Sequence, residues 1–186
     1  MNINDNQKKY YKALQIACIA HKDQIYDREH GYPYMLHLIS VTEVLSRFDF
    51  SINENPELHI SAIFHDIIED QDMKYKDIEK DFGKEIADIV FLCTDDIVMA
   101  AQGASRHERH AVTYPKLAKN DKSIVIKLCD RISNVEYGIS NDNLKQYRKY
   151  RREYKFFRDT LKKDTMFGEK TNKMWEHLDS LFDWTE

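Results

Sequence analysis

Apolar side chains recur along most of this chain at the three- and four-residue intervals of amphipathic α-helices. The pattern predicts helices over residues 7–25, 33–48, 57–70, 75–94, 106–119, 122–137 and, as a pair, 143–184. Gly83 predicts a break within the fourth of these, and Pro115 predicts a kink or interruption in the fifth. The start of the sixth is rich in β-branched residues, so a short strand is the alternative there. Irregular structure is predicted for residues 27–34, 53–56 and 95–106.

The composition agrees with an all-α fold. Five Gly and three Pro among 186 residues leave little material for the many turns of an all-β protein. The hydrophobic share of 42% and the aromatic share of 12% argue against disorder. No repeat or low-complexity linker divides the chain. We therefore predict one all-α domain over residues 1–186, with the helices of 143–184 packed on the rest.

The sequence argues against a membrane-spanning, secreted or general nucleic-acid-binding protein. It contains no run of about 18 apolar residues, and residues 1–5 lack an apolar signal core. A formal net charge of -4 gives no global attraction for nucleic acid. Neither a disulfide framework nor a cysteine zinc site is indicated, because the three cysteines are widely spaced among apolar residues: Cys18, Cys93 and Cys129. The expected location is the cytoplasm.

Two polar pairs interrupt the apolar run of residues 57–70. His65-Asp66 and Glu69-Asp70 are one helical turn apart, so an imidazole and three carboxylates would share one edge of a core helix. Desolvated carboxylates need water, partners or a cation. A bound divalent metal would account for the cluster.

Two further polar residues occupy positions where an apolar side chain is expected. His37 lies on the apolar stripe of residues 33–48, and Asp130 closes the apolar run of residues 124–129. A single buried His is usually a core residue, and a single Asp at a helix end is usually a cap. Combined with His65 and Asp66, however, they offer two imidazoles and two carboxylates, a set that suits Mn²⁺, Fe²⁺ or Mg²⁺ better than structural zinc.

Several stretches of the chain resemble the HD-domain hydrolases of alarmone metabolism, especially their small single-domain form. The resemblance extends over residues 8–140. It is carried by ACIAHKDQ (17–24), GYPYMLHL (31–38), AIFHDIIED (62–70), FGKEI (82–86) and KLCDRISN (127–134). It implies an HD-domain helical bundle that removes pyrophosphate from the 3′ position of (p)ppGpp.

The resemblance also implies a role for each matching residue. The metal ligands, usually for Mn²⁺, would be His37, His65, Asp66 and Asp130, and the catalytic acids would be Glu69 and Asp70. The substrate would be bound by Arg28, Lys127, Arg131 and Asn134. A metal would activate water, Glu69 would accept its proton, and the basic residues would neutralise phosphoryl charge.

Substrate and partners are left open by the sequence. The family's loop usually reads Arg-Lys, whereas Glu29 follows Arg28 here. Alternatives with the same site are another phosphorylated nucleotide such as NADPH, or pyrophosphorylated tRNA in an antitoxin-type reaction; a different class is a binding protein that senses alarmones. The basic residues of 106–116 form either a solvated helix face or a phosphate contact. Those of 145–163 form either a solvated face or a docking surface for tRNA or a toxin.

Overall fold

The computed structural model describes residues 4–183, which form a bundle of helices with one small hairpin. The helices are α1 (Asp5–Ala20), α2 (Met35–Arg47), α3 (Pro56–Phe64), α4 (Ile67–Asp70), α5 (Tyr75–Phe82), α6 (Lys84–Cys93), α7 (Ile97–Ala101), α8 (Arg106–Leu117), α9 (Asp121–Ser140), α10 (Leu144–Leu161) and α11 (Glu169–Leu181). Strands β1 (Ile25–Asp27) and β2 (Tyr32–Pro33) pair antiparallel between α1 and α2. The predicted all-α class is confirmed. Predictions for residues 1–3 and for Trp184 lie outside the described residues.

Local sequence signals explain several helix ends. Asn4 caps α1 by accepting a hydrogen bond from the Gln7 backbone N–H, and Ser105 caps α8 through Glu108 in the same way. Gly83 separates α5 from α6 with a φ of 97°, a conformation that side chains with a Cβ rarely adopt. The break predicted at Gly83 is therefore confirmed. Pro115 lies inside α8 without ending it.

Several local predictions are wrong. Residues 95–106, predicted to be irregular, contain the short helix α7. The helix predicted over 57–70 is interrupted, because His65 and Asp66 form a turn between α3 and α4. The alternative of a strand at the start of 122–137 fails, since that segment is the first part of the 20-residue helix α9. The segment predicted as an irregular loop, 27–34, contains part of the β1–β2 hairpin, with Gly31 at a φ of 71°.

Helix α9 is the centre of the fold. It packs against α2, α3, α6, α10 and α11, and most of its side chains are buried. One hydrophobic cluster surrounds α9, and a second joins α1, α2, α3, α5 and α6. Because α2, α3 and α9 contact one another, the polar residues on their facing sides meet in the interior. Within residues 4–183, no helix is long and apolar enough to cross a membrane.

Candidate metal centre and its cavity

Three side chains from three elements converge at the meeting point of α2, the α3–α4 turn and α9. His37, His65 and Asp130 each present one potential ligand atom, and these atoms lie within 4.8 Å of one another. The Nε2 atom of His37 lies 3.4 Å from Oδ1 of Asp130, and that of His65 lies 3.9 Å from the same oxygen. Both imidazoles are almost fully buried. The site is thus a compact, desolvated cluster of nitrogen and oxygen donors.

A hydrogen bond fixes the orientation of the His65 ring, and a ring contact fixes that of the His37 ring. The Nδ1–H group of His65 donates to the carbonyl oxygen of Ala62 at 2.8 Å, which leaves Nε2 as the ring nitrogen that faces the cluster. His37 is held by stacking, because the Tyr26 ring lies parallel to it at 4.9 Å. Such support is typical of the residues behind a metal-binding imidazole.

Asp66, the fourth predicted ligand, lies at the edge of this cluster. Its Oδ2 atom is 2.9 Å from Nε2 of His65 and 3.9 Å from Nε2 of His37. The same oxygen accepts a hydrogen bond of 2.5 Å from the Tyr34 hydroxyl. Asp66 is therefore close enough to both imidazoles to share a cation with them, while Tyr34 fixes its position.

The charges around the cluster favour a cation between the carboxylates. Burial opposes protonation of His65, but the neighbouring carboxylate of Asp66 outweighs it and raises the pKa of His65 to about 9. Burial also opposes ionisation of Asp130, yet Lys127, whose Nζ lies 3.2 Å from Oδ2, holds the pKa of Asp130 well below its ordinary value. Two ionised, buried carboxylates thus attract positive charge to this point.

The donor set fits a divalent metal ion. Nε2 of His65 is buried and 2.9 Å from Oδ2 of Asp66, the closest contact between an imidazole nitrogen and a carboxylate oxygen of the set. Two imidazole nitrogens with two carboxylates match the ligands of Mn²⁺, Fe²⁺ and Zn²⁺ sites with open positions. The residues present are consistent with the predicted metal site.

The two predicted catalytic acids line the adjoining cavity. Glu69 accepts a 3.1 Å hydrogen bond from the backbone N–H of Asp95, and Asp70 accepts one of 2.7 Å from Nε2 of Gln24. Burial, followed by the charge of Asp66, raises the pKa of Glu69 above its ordinary value, and burial likewise raises that of Asp70. Both carboxyls are therefore better proton acceptors than acids of ordinary pKa.

The cavity next to the cluster, about 270 Å³ in volume, is lined by basic as well as acidic side chains. Besides the acids, its wall contains Lys127 from α9, Arg106 from α8 and Lys149 from α10. Burial, together with Arg106 and Arg131, lowers the pKa of Lys149 to about 8. The arrangement is suited to a ligand that carries several phosphate groups.

Asn134 links Asp130 to the cavity wall. Its Nδ2 donates to Oδ1 of Asp130 at 2.5 Å, and its Oδ1 accepts from the Tyr26 hydroxyl at 3.1 Å. Nε2 of Gln146 donates to the same Oδ1 at 3.1 Å. Asn134 therefore both lines the cavity and orients Asp130.

Two of the predicted substrate-binding residues do not face the cavity. Arg28 is exposed at the tip of the hairpin. Arg131 is almost fully buried, pairs with Glu153 at 3.2 Å and lies between the rings of Tyr150 and Phe157. The prediction that Arg131 contacts substrate is at odds with this position, because its guanidinium is enclosed by α10.

Sequence reasoning missed other cavity residues. Lys149, Tyr150 and Gln146 line it from α10, and Tyr26 and Tyr34 line it from the hairpin and its end. Their signal was ambiguous, since Lys149 is one of many basic residues on an amphipathic helix. Arg106 belonged to a basic patch for which a phosphate contact was one of two predicted alternatives, and it does line the cavity.

We expect Arg131→Ala to destabilise the fold. The change removes a buried cation, leaves Tyr114 without the 3.0 Å hydrogen bond from Arg131 and leaves two rings without their packing partner, which costs about 3 kcal/mol of unfolding free energy. Urea denaturation measures this loss. Arg148→Ala, an exposed change on α10, is the control and should shift it by less than about 0.5 kcal/mol. A variant as stable as the control but inactive would instead support substrate contact.

The protein is thus all-helical, with a cluster of histidine and aspartate side chains beside a polar cavity. The sequence pattern of the HD domain family matches residues 13–156. The chain belongs to this HD domain family. The predicted resemblance is thereby confirmed.

Relatives of known activity match most of the chain. It is 30% identical over 128 residues to guanosine-3′,5′-bis(diphosphate) 3′-pyrophosphohydrolase MESH1 of Drosophila melanogaster, covering 68% of each protein. It is 29% identical over 133 residues to the bifunctional (p)ppGpp synthase/hydrolase SpoT of Escherichia coli, covering 70% of this chain but only 18% of that protein. The chain thus spans less than a fifth of SpoT.

A solved structure has the same fold. It is described as a metazoan orthologue of SpoT that hydrolyses ppGpp. The two align with a TM-score of 0.76 at 24% identity, over 98% of this chain and 97% of the other. This similarity supports the HD-type helical bundle over the whole chain, including the part beyond the matched domain.

Proposed function

We propose that this protein, as a single domain over residues 1–186, is a metal-dependent hydrolase that removes the 3′-pyrophosphate of (p)ppGpp. The proposal rests mainly on one observation. The His37–His65–Asp130 cluster, Glu69 and several basic side chains lie together at a single cavity. The names of its relatives identify the substrate. We further propose that the ion in the cell is Mn²⁺ and that the enzyme acts in the cytoplasm, where its three free cysteines would stay reduced.

Each group in the cavity has a distinct task in this reaction. A divalent ion held by His37, His65, Asp66 and Asp130 would supply Lewis acidity and lower the pKa of water towards about 7. Glu69, oriented by the Asp95 backbone N–H, accepts the proton of the attacking water through its carboxylate. Asp70, oriented by Gln24, supports the same transfer.

The basic residues handle the charge of the substrate. Lys127, Arg106 and Lys149 lie where phosphoryl oxygens would be bound and neutralise charge that grows during transfer. Asn134 holds Asp130 in place. Arg28, at the exposed hairpin tip, would contact the nucleotide only at the mouth of the cavity. Arg131 acts by positioning α10, which carries Lys149 and Tyr150.

The test is product analysis with purified protein and ppGpp in the presence of Mn²⁺. We expect equimolar GDP and pyrophosphate, and Mg²⁺ and Zn²⁺ in parallel reactions identify the preferred ion. NADPH is the matched alternative substrate, because it would release orthophosphate instead. No pyrophosphate from ppGpp with any of the three ions would contradict the proposal.

Pyrophosphorylated tRNA is a second candidate substrate, and the exposed basic side chains of α10 favour it. Lys145, Arg148, Arg151 and Arg152 are all exposed along this helix. Such a face would bind tRNA, or the acidic surface of a toxin protein, with affinity that falls steeply as salt is raised. Filter retention of tRNA by the unmodified protein and by a variant with these four residues changed to Gln tests this, and equal retention would argue against it.

A further inference from the structure

A second cleft lies between α8 and α10, next to the catalytic cavity. Its volume is about 510 Å³, and Lys149 lines both it and the cavity. Its other walls include Arg152 and Phe156 on α10 and His107 on α8. One face of α10 carries Lys149, Arg152 and Phe156, because they are three and four residues apart. The helical rise between Lys149 and Arg152 is about 4.5 Å. The cleft therefore extends away from the catalytic acids.

The charges of the cleft leave two cations without acid partners. Glu153 is neutralised by Arg106 at 2.9 Å and by Arg131 at 3.2 Å, and Asp159 pairs with Lys155 at 2.5 Å. Neither Lys149 nor Arg152 has an acid at ion-pair distance among residues 4–183.

Two aromatic rings also line the cleft. The rings of His107 and Phe156 lie 5.0 Å apart. The cleft thus has excess positive charge and room for a ligand, and a guanidinium fork such as that of Arg152 matches phosphate geometry.

We propose that this cleft is a phosphate subsite for the end of the substrate remote from the bond that is cleaved. The inference rests on the proposed function, in which the 3′-pyrophosphate lies at the metal cluster and the 5′-phosphates point away from it. Lys149 binds the 5′ chain where it leaves the cavity, and Arg152 binds its distal phosphate. The number of 5′-phosphates is then a determinant of specificity.

The experiment compares guanosine 3′-diphosphates that carry one, two or three 5′-phosphates. For the unmodified protein, kcat/KM should rise with the number of 5′-phosphates. Arg152→Gln should reduce kcat/KM for the 5′-triphosphate about three- to tenfold, and by less for the 5′-monophosphate, because a charged hydrogen bond is lost only with the longer chain. Lys76→Gln removes the same charge from an exposed residue of α5 outside both the cleft and the cavity, and it should keep the unmodified ratio.

The outcomes separate the subsite from the proposed function. A triphosphate-to-monophosphate ratio that is the same in Arg152→Gln as in the unmodified protein overturns the subsite, while the hydrolase assignment stands. A lack of pyrophosphate release from all three nucleotides overturns the hydrolase assignment. In that event the affinities of the three nucleotides can still be measured by calorimetry without added metal. Equal affinities would overturn the subsite. Free tripolyphosphate should inhibit hydrolysis, and Arg152→Gln should weaken that inhibition. Equal inhibition of the variant and the unmodified protein would show that the phosphate chain binds elsewhere.

Discussion

Asp130→Asn is expected to lower pyrophosphate release by roughly a thousandfold, because Lewis-acid stabilisation is worth several kcal/mol and each 1.36 kcal/mol is a factor of ten. Oδ1 of Asp130 lies within 4 Å of both imidazoles, so the amide removes the charge that draws a cation to them. The same change should remove the stabilisation of the fold by metal. With metal at about 100 times its dissociation constant, binding contributes about 2.7 kcal/mol, or a rise in Tm of roughly 5 °C.

The control for this variant is Asp88→Asn, an acid that pairs with Lys84 at the surface and contributes nothing to the cavity. It should retain activity and the metal-dependent rise in Tm. Asp130→Asn also leaves Lys127 without its ion pair, so its Tm without metal should fall. The informative quantity is the difference in Tm with and without Mn²⁺. An unchanged difference would contradict the role of Asp130 as a ligand.

Glu69→Gln is expected to separate catalysis from metal binding. The amide cannot accept the proton of the attacking water, and loss of a general base costs about 10²- to 10⁴-fold in kcat. The metal-dependent rise in Tm should remain, because Glu69 lies outside the His37–His65–Asp130 cluster. Steady-state kinetics with ppGpp and thermal melts with Mn²⁺ measure the two effects on the same preparation.

Asp72→Asn is the matched control, since it removes an exposed carboxylate three residues further along the chain. Two results would contradict the assignment of Glu69. Activity within tenfold of the unmodified protein would show that another group accepts the proton. Loss of the metal-dependent rise in Tm would make Glu69 a ligand rather than a base.

The candidate metal residues could be predicted from sequence because they occupy positions where apolar side chains are expected. His37 and Asp130 lie in apolar runs, and the His65-Asp66 pair interrupts another. What periodicity did not predict is the turn at His65 and Asp66, which ends α3. A helix pattern records which face is apolar, but a turn of two residues within it leaves almost no mark on the spacing.

The positions of two basic residues could not be predicted from the sequence. Lys149 and Arg131 have the composition and spacing of solvated cations on amphipathic helices, yet Lys149 lines the cavity and Arg131 is buried. Their positions follow from the packing of α10 against α8 and α9. Such contacts join residues distant in the chain, and no local pattern encodes which helices α10 packs against.

Helix periodicity and misplaced polar residues are local signals, so the helical class, the break at Gly83 and the donor types of the candidate metal centre could be predicted from the sequence. The packing of the helices was needed to show which cations face the cavity, that Arg131 pairs with Glu153 of α10, and that a second basic cleft adjoins the first through Lys149. These depend on the angle and depth at which distant helices pack, which are set by many weak contacts summed over the whole core.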